Sequence, residues 1–206
     1  MFILSFILIA LGKSIPKLSP EVCSLLFETG LDNIATLIEE LGIKTKAIYL
    51  PSSLTNKLPH AFVPLHSNGA RPEIRNALPQ RLIARYGPNP EDIGLIISTV
   101  GSTAVGMLES KPGATQDQLE SALTSLLTGR LGVADGARVT YDNKLIKVEI
   151  HKPRLENGAS WSHRCLGSPL AAVAASLAAE AWNKPITINQ ELQINGKYCI
   201  ELEVGS

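Results

Sequence analysis

Aromatic residues, an excess of basic charge and paired cysteines are all scarce in this sequence. Only 5% of the 206 residues are aromatic, and 19 Lys and Arg residues balance 19 Asp and Glu residues. Nucleic-acid-binding proteins usually carry a basic excess and aromatic stacking platforms, so we expect no nucleic-acid partner. The three cysteines, Cys23, Cys165 and Cys199, are odd in number and far apart. They predict no disulfide framework and favour a reducing, cytoplasmic location.

The apolar run near the N-terminus lacks the length to cross a membrane. Residues 2–11 are apolar except for Ser5, but a transmembrane helix needs about 20 such residues. Three interpretations stay open: a buried strand or helix, a short membrane anchor with Lys13 and Lys17 on the cytoplasmic side, or a cleaved signal. We treat 1–18 as a separate apolar segment and predict a single domain over 19–206.

Three helices are predicted from capping residues and apolar periodicity. Ser19-Pro20 and Ser168-Pro169 each pair an N-cap serine with proline at the first helical position, and Thr115 begins a Thr-x-x-Gln capping box. The predicted helices cover residues 19–41, 115–128 and 168–182. The last is rich in alanine, which leaves little bulk around its apolar stripe and predicts close packing against the sheet or a second helix. Close packing and the apolar run also make a homodimer a candidate assembly.

The middle of the chain predicts short strands joined by a proline-rich connection. Five prolines between residues 51 and 80 exclude a long helix there, so we expect a long loop, either solvated or contacting a ligand. Alternating or continuous apolar runs predict the strands. They cover residues 46–50, 81–86, 93–100 and 104–109.

Residues 137–204, close to the end of the chain, predict a β-β-α-β-β unit. Apolar residues lie at odd-numbered positions before Asp142 and at even-numbered positions after it. Paired residues share a face of the sheet, so the two residue numbers of each pair should add up to an odd number. We therefore expect a two-residue turn at Asp142-Asn143 that pairs Tyr141 with Lys144. Both strands of the last hairpin keep apolar residues at even positions. This parity predicts a three-residue loop, 194–196, with Leu192 opposite Tyr198. The overall class is α+β, an antiparallel sheet with packed helices.

This unit also resembles a known family. Residues 165–170 read Cys-Leu-Gly-Ser-Pro-Leu at the helix start, and residues 196–202 read Gly-Lys-Tyr-Cys-Ile-Glu-Leu in the last hairpin. With a hairpin before the helix, these motifs resemble the C-terminal core of the 4-vinyl reductase domain family over about the last third of the chain. The resemblance implies a small-molecule-binding module, found alone or attached to regulators, with one branch linked to tetrapyrrole vinyl reduction. The family often has a second cysteine where this chain has Glu191, opposite Cys199.

Two sets of candidate site residues follow from residue chemistry. Arg164, the Gly167-Ser168 backbone and the helix dipole form a potential anion site, and we expect Trp161 and Tyr198 to belong to the same ligand pocket. His163, Cys165 and Cys199 are the candidate metal ligands, because imidazole and thiolate groups bind zinc. Cys165 and His163 are also the candidate pair for thiol chemistry.

These observations predict a non-catalytic small-molecule-binding or regulatory module, with no cofactor that the residues identify. The expected pocket lies between the Ala-rich helix, the C-terminal hairpin and the proline-rich residues 51–80. Two alternatives stay open. One is a reductive or thiol-dependent enzyme that uses Cys165 and His163, and the other is an interaction domain tethered to a membrane through residues 2–11.

Overall fold

The structure, a computed structural model, describes residues 20–66, 72–155 and 161–205, with the backbone alone described for 20–28, 31 and 161. The apolar run at residues 2–11 therefore lies outside the described residues. Eight strands form one antiparallel sheet in the order β3-β4-β2-β1-β7-β8-β6-β5. The strands are β1 (Ile48–Leu50), β2 (His60–Pro64), β3 (Ile83–Arg85), β4 (Ile93–Ile97), β5 (Gly136–Asp142), β6 (Leu145–His151), β7 (Ile186–Ile194) and β8 (Lys197–Val204). The predicted α+β class is confirmed.

The helices pack around one Ala-rich helix at the centre of the main core. Along it, every residue from Leu170 to Ala181 is buried. The helices are α1 (Pro20–Glu40), α2 (Ser52–Thr55), α3 (Val100–Gly106), α4 (Gln116–Thr124), α5 (Trp161–Leu166) and α6 (Pro169–Trp182), and a π-helical turn (Ser125–Arg130) extends α4. The Ala-rich helix, α6, contacts α3, α4 and the central strands β1 and β7.

The predicted start of α6 is confirmed, and its small residues allow very close packing. Ser168 Oγ accepts a hydrogen bond from the Ala171 N–H at 3.2 Å, and Pro169 occupies the first turn. A Cβ atom added at Gly101 of α3 would lie 2.2 Å from both Ala172 O and Ser176 Oγ. The backbones of α3 and α6 therefore meet at a point where only glycine fits.

Among the described residues, one helical stretch has the length and hydropathy of a membrane span. It covers Ser162–Trp182, and most of it is buried inside the molecule. Such burial is typical of a core helix of a globular domain.

In the first C-terminal hairpin, the two residue numbers of each pair add up to an odd number, as predicted, but the pairs themselves differ from the prediction. Tyr141 pairs with Ile146 rather than Lys144, and the two-residue turn is Asn143-Lys144, whose φ values are +44° and +72°. The predicted turn at Asp142-Asn143 was therefore wrong by one position. Parity determines which residues share a face, but it leaves the pairing free to shift by two residues along the ladder.

The last hairpin differs from the prediction because it contains a β-bulge. Asn195 and Gly196, with φ values of +51° and +73°, form a two-residue turn, and an irregularity between Ile188 and Gln190 shifts the register by one. The expected three-residue loop and the Leu192–Tyr198 pair were wrong, since Leu192 pairs with Cys199. Beyond the bulge, Glu191 pairs with the buried Ile200 and therefore faces α6.

The proline-rich region contains more regular structure than predicted. It holds α2 and the central strand β2, and residues 72–82 cover the sheet face opposite α6. That face has its own apolar cluster, made of Ile48, Leu50, Phe62, Ile74, Leu78 and Ala84. The strand predicted over 104–109 was also wrong, because residues 100–106 form α3.

Side chains of α4 hydrogen-bond to backbone groups of the edge strand β5 that do not pair with β6. Glu120 Oε2 accepts from the Val139 N–H at 2.8 Å, and Gln116 Oε1 accepts from the Tyr141 N–H at 3.3 Å. Thr124 Oγ1 accepts from the Ala137 N–H and donates to the Ala137 carbonyl, both at 3.2 Å. These contacts occupy backbone groups that an open edge would present to another strand.

Candidate functional site

A pocket of about 280 Å³ lies beside the start of α6. Its walls come from α1, from the junction between β4 and α3, and from the junction between α5 and α6. Most of its lining is apolar or backbone, contributed by Gly30, Ile34, Val100, Leu166, Gly167, Pro169 and Ala172. Four polar residues complete the lining: Ser98, Thr99, Ser162 and His163. We call this space the α6 pocket.

Two polar side-chain atoms of the α6 pocket residues are buried without a hydrogen-bond partner among the described residues. They are Thr99 Oγ1 and His163 Nε2. The backbone of both residues is held in place: Ser102 Oγ accepts from the Thr99 N–H at 3.0 Å, and the His163 carbonyl accepts from the Gly167 N–H at 2.9 Å. Both atoms are covered by protein and so do not face the open space of the pocket. The Thr99 side chain also lies at the capping box of α3, beside the Ser102 N–H.

The predicted anion site at the start of α6 is occupied by a carboxylate of the chain itself. Both Glu191 carboxylate oxygens lie 3.2 Å from the Ser168 nitrogen. The Tyr198 hydroxyl donates to Glu191 and lies 3.1 Å from Ser168 Oγ. The β-bulge in β7 brings Glu191 into this position, and its negative charge favours the helix N-terminus. Gly167, Ser168 and Tyr198 therefore meet an internal anion here.

Burial and Glu191 change the acidity of two tyrosines near this carboxylate. Burial, followed by the hydrogen bond to Glu191, raises the pKa of Tyr198 well above its usual value. Burial, followed by the charge of Glu191, raises the pKa of Tyr49 as well. The Tyr49 hydroxyl donates to the Leu166 carbonyl at the end of α5. Both hydroxyls are therefore protonated hydrogen-bond donors at neutral pH.

Gly167 makes the sharp turn between α5 and α6 possible. Its φ is +76°, and a Cβ atom there would lie 2.5 Å from Ile188 Cδ1 and 2.9 Å from Glu191 Oε1. A side chain would thus be strained and would displace Glu191 from the helix N-terminus. Gly167 has a structural role in addition to lining the α6 pocket.

The three predicted metal ligands do not converge. Cys165 is buried on the α6 side of the sheet, whereas Cys199 pairs with Leu192 on the opposite face of β8, because residues 198 and 200 of that strand point toward the core. Within the described ranges, no group of three or more His, Cys, Asp or Glu residues lies close enough to hold a metal ion. The metal prediction for His163, Cys165 and Cys199 is therefore corrected.

Cys165 is also poorly suited to thiol chemistry. Its side chain contacts the Ile43 carbonyl, with Sγ 3.6 Å from the oxygen, and burial raises the pKa of the thiol. A nucleophilic cysteine needs a lowered pKa and access to substrate. The thiol-enzyme alternative thus gains no support from the surroundings of Cys165.

The remaining predicted ligand residues lie outside the α6 pocket or outside the described side chains. Arg164 is exposed and borders a smaller polar crevice that also includes Lys46 and Glu191. Trp161 begins α5, but its side chain is not described. A pocket of about 650 Å³ lies between residues 72–75 and the C-terminal hairpin, but α6 does not border it, because residues 72–82 lie on the other face of the sheet. The α6 pocket is a separate space formed with α1, the β4–α3 junction and α5.

Sequence reasoning missed Thr99 and α1 as parts of this site. Residues 98–103 are mostly small and polar and follow a buried strand, and Thr99 is a residue type that favours the N-cap of a helix, which was the available signal for a helix start. The contribution of Gly30 and Ile34 depends on how α1 packs against α5. No local pattern in the sequence encodes that contact.

Comparison with known families places the chain in one of them. A profile of the family described as Domain of unknown function (DUF7982) matches residues 15–203. The chain belongs to this family. No curated protein and no solved structure matches it. The resemblance of the last third to the 4-vinyl reductase domain family stays a prediction.

Proposed function

We propose that this DUF7982 domain is a non-catalytic module that binds a small, mainly apolar molecule in the α6 pocket. The observation that carries the proposal is a mainly apolar pocket whose lining also includes the polar residues Ser98, Thr99, Ser162 and His163. Ligand pockets typically combine apolar walls with a few positioned polar groups. A regulatory role would follow if binding changes the surface of the domain.

The size of the pocket supports a ligand of about two rings. The volume of about 280 Å³ lies just below the range of about 300–1,000 Å³ typical of ligand pockets. It clearly exceeds the apolar cavity of about 150 Å³ that holds benzene in a well-studied case. A two-ring molecule fits between these limits.

The composition of the pocket favours binding over catalysis. Of the described residues that line it, only His163 is an acid or base of the kind that general acid–base catalysis uses. A histidine base in a nucleophilic mechanism needs a nucleophile and an orienting group within hydrogen-bond reach, whereas His163 Nε2 has no partner in the described part of the chain. The described lining therefore supports binding better than it supports general acid–base catalysis.

Blocking the pocket at Gly30 tests the proposal without unfolding the protein. A Cβ atom at Gly30 meets no heavy atom within 4 Å, and the residue lies in α1, so Gly30→Leu should stabilise the helix by about 1 kcal/mol. The leucine should also fill part of the α6 pocket. We expect two-ring apolar fragments to raise the melting temperature of the wild type and to have at least five-fold weaker affinity for the variant.

Gly129→Leu is the matched control. Gly129 is exposed in the π-helical turn, has the same open space around its Cβ position and does not border the α6 pocket. The Gly129→Leu variant should bind the fragments with the same affinity as the wild type. Fragments that shift no melting temperature, or that bind Gly30→Leu and wild type equally, would refute the proposed pocket.

A further inference from the structure

We infer that the protein has a second binding site, for a small apolar molecule that carries an oxyanion, either a carboxylate or a phosphate. The site is a cavity of about 490 Å³ whose walls come from the end of α2, the start of β2, residues 78–82 and the end of β4. We call this cavity the basic groove. It is distinct from the α6 pocket, because the two described linings share only Ser98.

The ionisable side chains that border the basic groove are all basic. They are Lys57, His60 and Arg81, and the described lining contains no Asp or Glu, although Lys and Arg are balanced by Asp and Glu over the whole chain. The Lys57 and Arg81 side chains form no ion pair or hydrogen bond with the described part of the chain. An oxyanion bound here would therefore meet two cations that no described carboxylate already neutralises.

Apolar side chains form most of the remaining wall of the basic groove. They come from Leu58, Leu78, Pro79, Leu82 and Ile96. Leu58 is 37% exposed and Leu82 is 56% exposed, so the groove offers apolar surface to water as well as positive charge. Covering such surface favours binding. The ligand that complements both features has an apolar body beside its oxyanion.

The basic groove is held in shape by hydrogen bonds within its walls. The Leu78 N–H donates to the Leu54 carbonyl at 2.8 Å. His60 Nδ1 lies 2.6 Å from the Leu58 carbonyl oxygen, and because a carbonyl only accepts, Nδ1 carries the proton. A preformed site loses little freedom when a ligand binds. The volume of the groove also lies within the range of about 300–1,000 Å³ typical of ligand pockets.

Four probes separate the contribution of the oxyanion from that of the apolar body. Naphthoate and naphthyl phosphate carry the two oxyanions on a two-ring body, naphthalenemethanol is the neutral analogue, and acetate has the charge without the rings. Methyl NMR titration of the full chain, followed at Leu58 and Leu82, gives a Kd for this groove alone. We expect at least one two-ring oxyanion to bind about five-fold more tightly than naphthalenemethanol. Acetate should bind much more weakly than naphthoate.

Two double variants test whether the groove itself selects the oxyanion. Lys57→Met with Arg81→Met removes both charges at exposed positions and keeps long apolar side chains. Lys44→Met with Arg138→Met is the matched control, because it removes the same charge at exposed positions outside the groove. The preference for the oxyanion over naphthalenemethanol should disappear in the first variant and persist in the control. It should also persist in Gly30→Leu, which alters the α6 pocket.

Four results would overturn the inference. The first is that no probe shifts the Leu58 and Leu82 methyl signals, and the second is that naphthalenemethanol binds as tightly as both two-ring oxyanions. The third is that acetate binds as tightly as naphthoate. The fourth is a preference that survives the loss of Lys57 and Arg81 or falls equally in the control. Each of these results leaves the α6 pocket proposal standing, because that proposal is tested by fragment binding to Gly30→Leu.

Discussion

The hydroxyl of Tyr198 is buried against Glu191, and this contact makes the protein sensitive to alkaline pH. Because the folded-state pKa of Tyr198 is raised above its usual value near 10, the unfolded chain loses its proton first. The stability contributed by this tyrosine is complete below about pH 10 and is lost as pH rises above that value. Removing the hydroxyl should remove this part of the pH dependence.

We therefore predict two effects of Tyr198→Phe. The free energy of unfolding at pH 7 should fall by about 1 kcal/mol because a hydrogen bond to Glu191 is lost. Above pH 10, the decline in stability should become shallower by about 1.4 kcal/mol per pH unit. Urea unfolding at pH 7 to 11 measures both, with Tyr141→Phe, at a 43% exposed position, as the control. A slope identical to that of the wild type would contradict the assignment.

Glu191 also shows where single residues escape sequence reasoning. The cap at Ser168, the first-turn Pro169 and the turn at Gly196 follow from local chemistry and were predictable. Glu191 reaches the N-terminus of α6 only because of the bulge between Ile188 and Gln190. After the bulge, each side chain of β7 points to the face of the sheet opposite to the one that strict alternation would give it. A strict period of two places Glu191 on the opposite face, so the sequence pattern predicted an open anion site where the chain supplies its own carboxylate.

Helix α3 depends on contact with α6 more than on its own sequence. Its residues 100–106, Val-Gly-Ser-Thr-Ala-Val-Gly, combine β-branched residues and glycine, both poor helix formers. This composition explains why a strand was predicted over 104–109. The close approach of α3 to Ala172 and Ser176 overrides local propensity. Long helices such as α1 and α6 were predictable because their propensity and their packing agree.

Two glycine substitutions in α3 should have opposite effects. Gly101→Ala places a Cβ atom 2.2 Å from the Ala172 carbonyl oxygen, so we expect the free energy of unfolding to fall by about 1–3 kcal/mol or more. Gly106→Ala places its Cβ atom 3.5 Å from the flexible end of Leu58 and should stabilise the protein by up to about 1 kcal/mol. Chemical denaturation of both variants checks the pair. Equal effects would argue against the tight α3–α6 contact.

The order of strands in the complete sheet could not be read from the sequence. β1 pairs with β7 across almost 140 residues of chain, and β6 pairs with β8 to join the two C-terminal hairpins. Period-2 patterns define strands and their faces, but the neighbours of each strand depend on long-range packing. The same limit applies to the α6 pocket, whose walls come from residues 30–34, 98–100 and 162–172.

At the β5 edge of the sheet, side chains of α4 hydrogen-bond to the backbone groups that no strand pairs with. These hydrogen bonds should keep β5 from pairing with a strand of another chain. We predict that Glu120→Ala, which leaves the Val139 N–H without its 2.8 Å acceptor, speeds hydrogen exchange at Val139 at least five-fold. It should also increase self-association at high concentration, because an open edge offers unpaired groups to a second strand. NMR-detected exchange and analytical ultracentrifugation measure the two effects.

Ser121→Ala is the control for this edge, since Ser121 is exposed on the same helix and its side chain is not one of those that hydrogen-bond to β5 in the described part of the chain. It should leave both exchange at Val139 and self-association unchanged. If Glu120→Ala behaves like Ser121→Ala, the Glu120 contact does not protect the edge, and the remaining contacts from Gln116 and Thr124 must be sufficient. Faster exchange without self-association would mean that the other α4 side chains still exclude a second strand after the Val139 N–H is released.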